Sequence, residues 1–239
     1  MISFNRKYRS EQSEIMDSID FRGAEMKNLL KDLKTVNKWL GGNQITLNGI
    51  QQLLQNHPKN ERVTIMDIGC GDGQLLRKCS DLAARLNLKI ECIGLDFNKN
   101  ILEVATSRSR EYPSIKFQKV DVFLEEKLIP NCDIALCTLF LHHFKTAEIE
   151  VLLKTLSQKA RIGLVINDLH RNKWAFTLFK IVSALFLKTG TARHDGLVSI
   201  ARGFKKRELE QLARNIPNQK SEIRWRWAFR YQWILKKEL

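Results

Sequence analysis

The chain has 239 residues, 44% of them hydrophobic, and its 40 Lys and Arg against 26 Asp and Glu give a formal net charge of +14 and a pI near 9.7. That balance excludes a disordered or fibrous chain and allows one globular domain of ordinary size with a short additional segment. No uninterrupted apolar run reaches the roughly 18 residues of a bilayer span, and the excess positive charge points to an anionic partner: a lipid surface, a nucleic acid or an acidic substrate.

The chain begins with a polar stretch from Asn5 to Ser18 that is unlike a secretory leader. Glu11 to about Asn56 is expected to be helical. Leu29, Leu30, Leu33, Val36, Trp39 and Leu40 recur at helical spacing, and Gly41-Gly42 stops that helix. A second helix over 45–54 ends before His57-Pro58. From Glu61 onward strand and helix alternate, the pattern of a parallel sheet with helices on both faces. Strands are expected over 63–69, 89–96, 115–120, 133–139 and 161–168, helices over 73–87, 98–110, 146–160 and 205–215, and two closing strands over 222–229 and 231–237. The domain reading is a helical extension or cap over 1–60, then an α/β domain over 61–239.

The segment from His170 to Gly203 is longer than a minimal crossover. It carries Trp174, Phe176, Leu178, Phe179, Ile181, Val182 and Leu185, and a single acid, Asp195, among many Lys and Arg. An apolar helix flanked by basic residues can form a lid over a greasy substrate or rest on an anionic membrane. Simple burial is the competing expectation, because apolar residues surround most of its circumference. The five cysteines, Cys70, Cys79, Cys92, Cys132 and Cys137, show no Cys-x-x-Cys pair and no zinc spacing. They are expected to be reduced, in a cytoplasmic protein with possible peripheral contact at the inner membrane surface.

The chemistry concentrates after the first strand, in Asp67-Ile68-Gly69-Cys70-Gly71-Asp72-Gly73. Glycines at alternate positions permit a sharp strand-to-helix turn and a close ligand approach. The second strand ends in Asp96, where a carboxylate can accept from two ribose hydroxyls. Together they point to an adenosine-type cofactor. The spacing differs from the dinucleotide fingerprint, and no Gly-x-x-x-x-Gly-Lys-Ser/Thr loop is present. Asp67 would repel a pyrophosphate but pair with an ammonium group. S-adenosyl-L-methionine, with its amino-acid end and no phosphate, fits that preference.

These residues, with Val120-Asp121-Val122 and Asp133-Ile134-Ala135-Leu136-Cys137 as later strand features, resemble the class I S-adenosylmethionine-dependent methyltransferases, most closely over 61–168. The resemblance implies a Rossmann-like, seven-stranded, mostly parallel α/β sheet with helices on both faces, an N-terminal helical extension and a helical insertion after the fifth strand. It implies that Asp67 and Gly69 serve the methionine end. Asp96 would serve the ribose, Phe97 the adenine, and Asp121 and Val122 the adenine amino edge, with Cys70, Gly71, Gly73 and Thr138 also among the cofactor-binding residues. Asn167-Asp168-Leu169-His170-Arg171, His194-Asp195-Gly196 and the leading 9–17 and 36–42 segments also resemble a bacterial subset akin to ubiquinone-pathway and phenolic-lipid methyltransferases. That subset implies O-methylation of a lipid-tailed phenol or quinol.

Methyl transfer from a sulfonium is an in-line displacement, so the protein mainly aligns a nucleophile and helps remove its proton. His142 and His143 follow the fourth strand, His170 follows the fifth, and His194 lies beyond the apolar segment. All four are candidate bases, because histidine titrates near neutrality. No metal is expected, since no histidine and carboxylate set has recognisable ligand spacing. The leading expectation is therefore an O-methyltransferase for a small hydrophobic hydroxyaromatic. A nucleic-acid methyltransferase would suit the charge, but the fourth strand ends in Thr138-Leu139-Phe140-Leu141 rather than an Asn/Asp-Pro-Pro-Tyr/Phe-like tetrapeptide. Nucleic acid is thus the weaker alternative. A third alternative is a cofactor-binding membrane or partner module of a biosynthetic complex.

Overall fold

A seven-stranded sheet in the order β3-β2-β1-β4-β5-β7-β6 runs through the molecule. The computed structural model describes residues 2–18, 20–58 and 60–238. The strands are β1 (Arg62–Ile68), β2 (Lys89–Asp96), β3 (Ile115–Lys119), β4 (Cys132–Thr138), β5 (Ala160–Leu169), β6 (Gln219–Arg226) and β7 (Arg230–Lys237). The first five pair in parallel, and β7 runs antiparallel to both β5 and β6. The fully buried run of β4 is what a central parallel strand needs, with helices on both faces. The expected Rossmann-like α/β architecture is the observed one.

The helices are α1 (Gly23–Trp39), α2 (Gly42–Leu53), α3 (Gln74–Leu86), α4 (Lys99–Arg108), α5 (Thr146–Lys159), α6 (Lys173–Phe186), α7 (Gly190–Arg202) and α8 (Lys206–Arg214). One face of the sheet packs Leu152 and Leu156 of α5 and Leu209 of α8 around Trp233. The other packs Leu47 and Ile50 of α2 and Leu76 of α3 on Val63, Ile65 and Val165. α2 lies so close that a Cβ on Gly49 would come within 2.6 Å of Val165. A third cluster joins Leu29 and Leu30 of α1 to Ile101, Leu187 and Ala192.

Three expectations need correction. Residues 11–14 are not helical, and a 3-10 turn, Ile15–Asp17, precedes α1. Backbone groups in and beside this stretch pair across the chain instead: Ser10 N–H with the Ala201 carbonyl, and Ile15 and Met16 N–H with Asp195. The apolar insertion is two helices rather than one. The chain breaks at Lys188-Thr189, where buried Asp32 accepts from both backbone N–H groups and the Thr189 hydroxyl. β6 also starts earlier than expected and ends at Arg226, because Ala228 and Phe229 take left-handed backbone in the hairpin turn.

Candidate active site

The order of the parallel strands reverses between β1 and β4, the place where open α/β sheets bind ligands beyond the carboxyl ends of their strands. A cleft of about 470 Å³ opens there. Its floor is the turn after β1. Gly69 and Cys70 both donate to the Leu95 carbonyl, at 2.8 and 3.0 Å, which ties the turn to β2. Gly69 has φ +68, and a Cβ there would meet the Phe140 ring at 2.3 Å. Gly71 also has positive φ but no neighbour within 4 Å of an added Cβ, so its side is open to a ligand. Gly73 starts α3 and does not line the cleft; its missing Cβ makes room for Phe117.

Asp67, Gly69, Cys70, Gly71, Asp96, Phe97, Asp121, Val122 and Thr138 all line this one cleft. Asp67 is buried, and its Oδ1 has no hydrogen-bond partner within the protein. Burial, reinforced by the nearby Asp96 charge, pushes its carboxyl well above the usual range. A cationic ligand group would relieve that strain. Asp96 accepts from Gly71 N–H at 3.1 Å and Asn98 N–H at 3.0 Å, so its orientation is set before any ligand arrives. Asp121 turns one oxygen back onto the N–H groups of Phe123 and Leu124. Thr138 shares a 2.9 Å hydroxyl contact with Thr46 of α2, and buried Asn167 donates to the same Thr46.

Residues 65–163 match the family model described as a methyltransferase domain. That stretch is similar to a methyltransferase domain, and the sheet that carries it has the fold expected of class I S-adenosylmethionine-dependent methyltransferases. Its fold is similar to that of the plantazolicin methyltransferase BpumL in complex with SAH, with 15% identity, TM-score 0.64, and coverage of 90% of this chain and 95% of that one. It is also similar to magnesium protoporphyrin IX methyltransferase from Synechocystis PCC 6803 with bound SAH, with 17% identity, TM-score 0.57, and coverage of 85% and 87%. A third similar structure is a putative O-methyltransferase from Nostoc punctiforme PCC 73102, with 21% identity, TM-score 0.56, and coverage of 83% and 57%. S-adenosylmethionine is the cofactor of this class, and the lone Asp67 oxygen, the open Gly71 and the fixed Asp96 suit its ammonium, its close approach and its ribose.

Beyond the cofactor turn the cleft meets a cluster of ionisable groups. His142 and His143 sit in a 3-10 turn after β4 (Leu141–His143). His142 is fully enclosed. Its Nδ1 lies 2.7 Å from Oδ1 of Asp168, at the end of β5, and its Nε2 lies 3.3 Å from Glu14. Burial alone would lower its pKa, but Asp168 and Glu14 outweigh burial and raise it to about 9. The pairing therefore favours the imidazolium form at neutral pH. Burial works against ionisation of Glu14 and Asp168 too, yet the two histidines hold both carboxyls below their usual range. His143 is more open to the cleft, with its Nδ1 2.8 Å from Asp17 and its Nε2 4.0 Å from Glu14.

The N-terminal strap delivers Glu14, Met16 and Asp17 to this place. Asp195 anchors it by accepting from Ile15 and Met16 N–H, and Arg202 bridges the carbonyls of Gln12, His142 and His143. Ligand-type atoms of Glu14, His142 and His143 lie within 4.8 Å of one another. These side chains form an ion-pair cluster, a grouping of carboxylate and histidines that their spacing along the chain did not show.

His170 and His194 do not line the cleft. His170 packs on Tyr231, and burial beside Lys205 and Arg171 lowers its pKa to about 4. Asp168 pairs with His142 and not with His170. His194 lies within α7 and bonds to Asp195. Sequence reasoning missed the roles of Glu14 and Asp17. Their only local signal was a run of acids, Glu11, Glu14 and Asp17, at three-residue spacing in an otherwise basic chain.

Proposed function

We propose that the protein methylates the oxygen of a hydrophobic phenol or quinol, with His143 as the general base. The observation that carries this reading is the position of His143 in a cleft where the polar cluster of Glu14, Asp17 and His142 meets an apolar wall of Met16, Leu30, Leu33, Phe140, Phe144 and Leu169. S-adenosylmethionine supplies an electrophilic methyl group when bound. Asp67 and Asp96 orient it through its ammonium and ribose. Asp17 beside His143 Nδ1 favours the tautomer with its proton on that nitrogen, which leaves Nε2 free to take the acceptor hydroxyl's proton. His142, already protonated, holds Glu14 in place and contributes positive charge near the oxygen that loses its proton. The strap and α1 cover the acceptor end and limit water entry. Structural neighbours include a plantazolicin and a magnesium protoporphyrin IX methyltransferase; the apolar wall of this cleft suits a hydrophobic acceptor.

The test is turnover of alkylated catechols, resorcinols and hydroquinones with a labelled methyl donor. Transfer to at least one member is expected, with His143→Gln lowering kcat about a hundredfold or more while cofactor affinity stays unchanged. No transfer across the panel by cofactor-bound protein would overturn the substrate class. Full turnover by His143→Gln would overturn the assigned base.

A further inference from the structure

α6 is inside out for a helix of a globular protein. It buries only Ala175 and Ser183, while Trp174 is 69% exposed and Leu185 73% exposed. Leu178, Ile181, Val182 and Phe186 are also exposed. Trp174, Leu178, Ile181, Val182 and Leu185 follow the spacing i, i+4, i+7, i+8, i+11, so they share one face of the helix. Scattered exposed apolar residues need no explanation, but a continuous row along about three turns does.

The charge around the row is of one sign. Exposed Lys173 and Lys180, seven residues apart, run along one edge of it, and exposed Lys188 and Arg193 follow its end. From Leu169 to Arg207 the one acid is Asp195, which is buried and occupied by the strap. No helix among the described residues is long and apolar enough to cross a membrane. A second copy of this basic face, or a basic protein, would be repelled; an anionic bilayer satisfies both the apolar row and the lysines.

We propose that α6 docks the protein in the plane of an anionic membrane, with its apolar row among the acyl chains and its lysines at headgroup level. The inner side of the helix is fixed. Phe179 fills the space left by Gly196 of α7, and Phe186 meets Trp39 of α1 edge-on at 5.3 Å. α1 and α7 in turn supply Leu30, Leu33 and Ser199 to the cleft. Docking therefore brings the wall of the acceptor end to the bilayer surface, where a lipid-tailed acceptor resides. The docking itself does not depend on which atom is methylated.

The experiment is co-sedimentation of the full chain with phosphatidylcholine vesicles, with and without phosphatidylglycerol. Binding is expected only with the anionic lipid, weakening as salt rises. Leu178→Glu with Leu185→Glu should reduce partitioning more than tenfold, and Lys173→Glu with Lys180→Glu should reduce it by roughly fivefold per charge. Calorimetric titration with S-adenosylhomocysteine should give wild-type affinity for both variants, which shows that they fold. In wild type, brominated lipid should quench a fluorescence component that Trp174→Phe removes. Absence of binding to either vesicle, or binding unchanged in both variants, would overturn the proposal. So would self-association in sedimentation velocity that Leu178→Glu with Leu185→Glu abolishes, because the row would then be an interface between copies. Vesicle binding without any methylated phenol would leave docking standing and remove only the substrate class.

Discussion

Asp168→Asn probes the charge balance at the centre of the acceptor site. Asp168 is 1% exposed and lies 2.7 Å from His142 Nδ1, so the substitution keeps the shape and removes one of the two negative charges on the ring. The His142 pKa rises from 6.5 to about 9 on folding, which corresponds to about 3 kcal/mol of stability, since each unit is worth about 1.4 kcal/mol. The folded pKa is raised, so this contribution is complete below pH 6.5, declines as pH rises, and is gone above about pH 9. Glu14 and Asp168 act in the opposite sense. Their carboxyls are lowered, so their contribution is present above the usual carboxylate range and is lost as pH falls below it. Removing one partner of a buried pair costs about 3–5 kcal/mol, and the remaining Glu14 places this variant at the low end. Urea unfolding near pH 6 should show Asp168→Asn about 3 kcal/mol less stable than wild type, with the gap shrinking toward pH 9. A variant within about 0.5 kcal/mol of wild type near pH 6, or a gap that stays constant with pH, would refute the imidazolium assignment.

Three further outcomes follow from the same geometry. Asp96→Ala removes charged acceptors for the ribose, so calorimetric affinity for S-adenosylmethionine should fall roughly a hundredfold, from two hydrogen bonds of about 1.5 kcal/mol each; unchanged affinity would remove Asp96 from the cofactor site. Gly69→Ala combines a left-handed φ of +68 with a Cβ 2.3 Å from Phe140, and should abolish measurable cofactor binding while circular dichroism still reports a folded chain. His170→Ala should leave kcat within about twofold of wild type, because His170 is outside the cleft; a larger loss would show that the cleft extends beyond β5.

Much of the cofactor half was legible in the sequence because it is local. A strand, an alternate-glycine turn and a helix follow one another without interruption from Arg62 to Leu86, and the backbone angles that the turn needs restrict it to glycine at Gly69, Gly71 and Gly73. Parallel strand ends then bring Asp67, Asp96, Asp121 and Thr138 to one edge of the sheet, so their order in the chain predicts their proximity. Gly73 was assigned to the ligand because it shares the motif; its observed work is the start of α3 and room for Phe117.

The acceptor half was not legible in this way. The four candidate histidines looked equivalent, since each follows a strand or sits in the insertion. What separates them is contact with residues from other parts of the chain: Glu14 and Asp168 on His142, Asp17 on His143, and Lys205 and Arg171 rather than a carboxylate beside His170. The strap that carries Glu14 and Asp17 is held by Asp195 and Arg202 through backbone groups, and backbone bonding leaves no pattern in the side chains of residues 9–17.

The sequence by itself determined the alternation of strands and helices, the cofactor turn and the basic character of the insertion, because periodicity, glycine backbone freedom and charge are properties of neighbouring residues. Only the tertiary structure decided which histidine is enclosed between carboxylates, which is more open to the cleft, and that α6 turns its apolar row outward. Burial and ion pairing belong to groups that meet only when the chain is folded, and apolar spacing on a helix marks a common face without saying whether protein or solvent lies beyond it.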